Sequence, residues 1–77
     1  MGKENINIQL TKNEALVLFE LLGRVNQKNL SGIFEDQSEQ RVLWDLEANL
    51  EKQLSEPLQP DYFDILTKAR EEVRDKE

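Results

Sequence analysis

The sequence predicts a mainly α-helical fold: a compact three-helix domain with a short N-terminal β-strand or extended arm. Three observations carry the prediction. Apolar residues recur at helical spacing in three separate stretches, residues 12–26, 36–54 and 61–75. A residue suited to capping stands at the head of each, Thr11, Asp36 and Asp61. Turn-forming residues and prolines separate the stretches. With 77 residues, the whole of 1–77 reads as one small domain with no room for a second core.

The arm comes first. Residues 5–10, Asn-Ile-Asn-Ile-Gln-Leu, alternate polar and apolar, which puts Ile6, Ile8 and Leu10 on one face. A lone strand does not stand by itself, so it must pair within the chain or with a second copy. Leu30–Phe34 is the best internal partner. An arm that lays its apolar side chains on the helices is the alternative.

Thr11 and Glu14 then form a capping-box pattern. In the helix that follows, Ala15, Leu16, Leu18, Phe19, Leu21, Leu22 and Val25 cover more than half the circumference, and Val17 widens the arc. A surface helix needs an apolar stripe of only ~100°, so this helix must be covered from two sides and is the central one. Glu20 and Arg24 stand in the favourable i,i+4 order on its wet edge. Gly23 marks either a close approach or the onset of fraying, and residues 26–32 read as a loop.

The second helix begins at Asp36, with Glu39 at the capping-box position, both placing negative charge at the positive end of the helix dipole. Val42, Leu43, Leu46, Leu50 and Leu54 make one core stripe. Trp44 falls ~100° away from it, on the side of Ala48. Either the third helix or the arm covers this indole, or it anchors a partner, a role in which Trp is enriched. Pro57 and Pro60 stop the helix and predict a stiff, extended connection. Asp61 caps the third helix, where Tyr62, Ile65, Leu66, Ala69 and Val73 form a narrow stripe with Phe63 on its shoulder. Asp64 with Lys68, and Glu72 with Lys76, read as exposed i,i+4 pairs.

The segment from Phe34 to Leu54, with Glu56-Pro57, Pro60-Asp61-Tyr62 and Glu14–Glu20, resembles short bacterial proteins of unknown function over residues 11–73. The resemblance implies a bacterial origin and a shared fold, and it brings no activity and no site residues.

Composition excludes several kinds of chemistry. The chain has no Cys and no His, which removes disulfides, thiol nucleophiles and the usual structural zinc sites. Sixteen acidic against ten basic residues leave a formal charge of −6, which disfavours nucleic acid and anionic membrane surfaces as partners. No apolar run is long enough for a signal peptide or a membrane span, so a cytoplasmic protein is expected. Glu35, Asp36 and Glu39, like Glu47 and Glu51, read as capping and solvating carboxylates. They lack the Glu-x-x-His of a di-metal bundle and the Gly of a calcium loop. A domain of this size also leaves little room for a substrate pocket of ~300 Å³ or more. The expectation is therefore a non-enzymatic protein with no cofactor, no metal and no small-molecule substrate. It would act as a protein–protein interaction module or associate with itself as a homodimer. Trp44, Ala48, Ile6 and Ile8 are the candidate contacts. The alternative is an acidic inhibitor of a basic effector, of the antitoxin, immunity or DNA-mimic type, although its acids are interleaved with Lys and Arg.

Overall fold

The computed structural model describes residues 4–28 and 32–76. Among these the chain forms three α-helices, α1 (Lys12–Gln27), α2 (Gln37–Gln53) and α3 (Tyr62–Arg74), with a 3-10 turn at Glu56–Leu58. Each helix lies within a residue or two of its predicted span.

Capping explains where the first two helices start. Thr11 Oγ1 accepts the Glu14 N–H at 3.1 Å while the Glu14 carboxylate accepts the Thr11 N–H at 2.9 Å, so the capping box is complete. At α2 the Asp36 carboxylate accepts the Ser38 N–H at 2.8 Å. Glu39 reaches one residue further back than a capping box requires and accepts the Glu35 N–H at 2.9 Å. The residue is exposed, as a capping carboxylate is. Asp61 does not cap α3 through its side chain. Its backbone, at φ −98° and ψ 27°, is outside the extended region from which a capping carboxylate reaches the helix N–H groups.

The central position of α1 is observed. Both α2 and α3 pack against it, and they bring no Cα atoms within 8 Å of each other. Each runs antiparallel to α1. Asn26, near the end of α1, hydrogen-bonds to Leu43 and Glu47 in the first half of α2. The Tyr62 hydroxyl at the head of α3 donates to Glu20 at 2.9 Å, while Lys76, beyond its far end, pairs with Glu14. The core is Leu16, Leu22, Leu50, Leu54 and Ala69, joined by partly buried Leu18, Phe19, Leu43, Leu46, Tyr62 and Ile65. Leu66 is also buried.

Several local expectations are corrected. Val42, expected on the core stripe, is 61% exposed, at the edge of α2's apolar arc. Phe63 keeps its expected place on the shoulder of the third stripe and is exposed there. The connection after α2 is not extended throughout: Pro57 is accommodated in the first turn of the 3-10 segment, where its missing N–H costs nothing. Neither Asp64–Lys68 nor Glu72–Lys76 forms among the described residues. Lys76 pairs across to Glu14 instead, and Lys12 to Glu56 at 2.8 Å. Gly23 is no tight contact, since a Cβ there would meet Glu47 Oε2 at an ordinary 3.7 Å.

Residues 4–10 are not in a strand. The suggested pairing with Leu30–Phe34, and part of the loop assigned to 26–32, involve residues 29–31, outside the described residues. Helix α1 itself continues to Gln27.

The shape is more open than a compact domain. The Cα radius of gyration is 14.2 Å, against about 11.5 Å for a globular chain of this length. The accessible surface is 6604 Å², roughly a third above the ~4,900 Å² of a typical folded monomer of this mass.

Candidate interaction surface

The extra surface has an identifiable source. Residues 4–10, outside any helix, contribute to it: Ile6 is 85% exposed, Ile8 79% and Leu10 41%. Between this arm and the α1–α2 pair lies an open cleft of about 750 Å³. Little room for a substrate pocket was expected in so small a domain, and this space is an open surface trough, not an enclosed pocket. Ala15 and Leu18 of α1 and Leu46 and Leu50 of α2 form its floor, and Ile6, Ile8 and Leu10 form one wall. Asn7, Asn49 and Gln53 supply amides at the rim. None of the ten lining residues is charged, in a chain where charged residues make up 34%. Such a lining offers apolar contact and neutral hydrogen bonding, and no group in it titrates near neutral pH.

The spacing on α2 explains how the cleft forms. Leu46, Asn49, Leu50 and Gln53 recur at three and four residues and so share one side of the helix. Val42, four residues before Leu46, continues that side towards solvent. Trp44 precedes Leu46 by two residues, which is about 160° around the helix, and it shares the opposite side with Ala48. Trp44 is 46% exposed and Ala48 is exposed. The expected cover for the indole is lacking, because α3 does not approach α2 and the arm lies across the far face. The four sequence-predicted contact residues therefore fall into two separate patches, Ile6 with Ile8 at the cleft, and Trp44 with Ala48 behind it. Sequence reasoning missed Leu10, Leu18, Asn49 and Gln53 as members of the cleft.

A second, polar crevice of about 260 Å³ runs between α1 and α2, lined by Phe19, Glu20, Gly23, Arg24, Gln27 and Glu47. Beside it Asn26 Nδ2 donates to Glu47 Oε1 at 2.7 Å and to the Leu43 carbonyl at 3.3 Å, while its Oδ1 is buried without a partner. This junction ties the end of α1 to α2. Glu20 is occupied by Tyr62, whose phenol is pushed up to about 12 by burial first and by the Glu20 carboxylate second. Hydrogen bonding holds three carboxylates below their ordinary range: Glu14, chiefly from Lys76; Asp36, from Ser38; and Glu56, chiefly from Lys12.

Among the described residues no group of three or more carboxylates gathers as a metal site, and no helix is long and apolar enough to cross a membrane. Comparison with protein-family models, with characterised proteins and with solved structures gives no match for this chain.

Proposed function

We propose that the protein is a non-enzymatic protein–protein interaction module acting in the cytoplasm. The observation that carries this reading is the cleft with its arm. Ile6 and Ile8 are almost fully exposed beside an uncharged apolar floor, an arrangement that costs the isolated chain solvation free energy and is relieved when a partner covers it. The half-exposed Trp44 with Ala48 supplies a second contact patch of the kind that anchors interfaces. The lining of the cleft brings together no nucleophile and no general acid or base, which supports binding over catalysis.

The acidic-inhibitor alternative has less support. Glu14 and Glu56 are neutralised by Lys76 and Lys12 of the same chain, and Asp36 serves as a helix cap, so these carboxylates are not arrayed for a cationic site. Capture on the tagged full chain tests the proposal. Covalent crosslinking followed by identification of whatever is held should yield a specific protein, either this chain or another. Capture should fall at least about tenfold with Trp44→Ala or Ile8→Asp, as for loss of an anchor residue. Retention of nothing by the wild type, or equal retention by both variants, counts against an interaction role.

A further inference from the structure

We infer that the C-terminal end of the chain latches the N-terminal arm: Lys76, beyond α3, holds Glu14, the carboxylate that fixes the root of the arm at the head of α1. In the interaction-module reading, on which only this consequence rests, the latch governs how the arm presents Ile6 and Ile8.

Glu14 divides its two oxygens between the two ends of the chain. Its Oε1 accepts the Thr11 N–H at 2.9 Å, while the Glu14 N–H donates to Thr11 Oγ1 at 3.1 Å. Its Oε2 accepts from the Lys76 ammonium, 62 residues further along the sequence. Thr11 is extended, at φ −67° and ψ 163°, and sets the direction in which the arm leaves α1. Among the described residues, residues 4–10 make no hydrogen bond that would hold the arm elsewhere. The Thr11 N–H is therefore the anchor of the arm, and the acceptor that holds it is also the acceptor of Lys76.

Charge makes the two contacts depend on each other. An ionised carboxylate only accepts, and a hydrogen bond to it is stronger than one to a neutral group. The ammonium of Lys76 keeps Glu14 ionised and orients it towards Thr11. The crevice around them, about 180 Å³, is lined by Thr11, Asn13, Glu14, Glu72, Val73 and Lys76. Two carboxylates thus share it with a single ammonium. Glu72, four residues before Lys76, is the competing acceptor. Lys12, the cation beside Glu14 on α1, is engaged by Glu56 at 2.8 Å. The lowered pKa of Glu14 has the same two leading causes, Lys76 first and the Thr11 N–H second. A folded-state value below the ordinary 4.5 means that the latch is complete above that pH and is released as the pH falls below it.

Nuclear magnetic resonance of the isolated full chain tests the latch without any partner. The Glu14 carboxyl carbon and the Thr11 amide proton should titrate with one midpoint, below 4.5. Lys76→Gln should raise that midpoint and speed hydrogen exchange at the Thr11 amide by about two- to fivefold, as for loss of an exposed ion pair. Glu72→Gln, which removes the competing acceptor, should lower the midpoint. Arg74→Gln removes the same charge from the same end, where its partner is Asp75, and should move the midpoint less than Lys76→Gln. All three sites are exposed, so the helices remain intact. A Thr11 amide that ignores the Glu14 titration overturns the latch. So does a midpoint unmoved by Lys76→Gln, moved equally by Arg74→Gln, or raised by Glu72→Gln. Any of these leaves the interaction role standing, and failure to capture a partner leaves the latch standing.

Discussion

At the scale of single residues, position within an element decides whether a polar group stabilises the fold. Tyr62 is the clearest case. Its hydroxyl donates to Glu20 from a partly buried site, which favours the neutral phenol and raises its pKa from 10.0 to about 12. A folded-state value above the unfolded one means that the contribution to stability is complete below pH 10.0. It is lost as the pH climbs from there towards 12. Denaturant unfolding at a series of alkaline pH values should show a fall in stability across that window. In Tyr62→Phe this component should be absent, and only the part due to lysine titration should remain. As Tyr62 is the only tyrosine of the chain, tyrosinate absorbance in the folded protein reads its pKa directly, and a value near 10 would contradict the Glu20 contact. Asn26 works differently. It bridges α1 to α2 through Leu43 and Glu47, a role invisible in a sequence where it reads as the first residue of a loop.

At the scale of elements, the sequence places the helices well and their polar contacts poorly. Thr11, Asp36 and Asp61 all read as caps, and each stands immediately before a helix. Their side chains act differently because capping requires an extended backbone at the cap, which Thr11 and Asp36 adopt and Asp61 does not. Thr11→Ala should therefore cost about 1 kcal/mol of folding stability, whereas Asp61→Ala should stay within ~0.5 kcal/mol. Urea titration of the two variants beside the wild type checks the contrast, and equal losses would refute it. The same limit applies to ion pairs. Spacing along one helix suggests Glu72 for Lys76, yet the antiparallel approach of α3 to α1 brings Glu14 nearer. Local spacing gives the available partners only within one element.

At the scale of the whole molecule, openness is the dominant property. A central α1 flanked by α2 and α3, with the two flanking helices apart, leaves a core of few fully buried side chains and a large remaining apolar surface. Under the interaction-module proposal a bound partner covers part of that surface, and the salt response of any pairing between copies is predictable from charge. Copies at −6 repel, and the repulsion is screened over ~10 Å at 0.1 M salt and ~3 Å at 1 M. The self-association constant should therefore rise with added sodium chloride, as measured by sedimentation equilibrium. A contact built on ion pairs would weaken instead.

The sequence by itself determined that there are three helices, where they begin, that the first is central, and that Trp44 is off the stripe of the second. These follow from local rules: a periodicity of 3.6 residues, capping chemistry and the width of an apolar arc. Only the tertiary structure decided what those faces meet. It left Val42 in solvent, separated the Trp44–Ala48 patch from Ile6 and Ile8, and hollowed a cleft between the arm and the α1–α2 pair. The physical reason is that an apolar stripe states that a face is to be covered, while the coverage itself depends on how far apart the neighbouring helices sit.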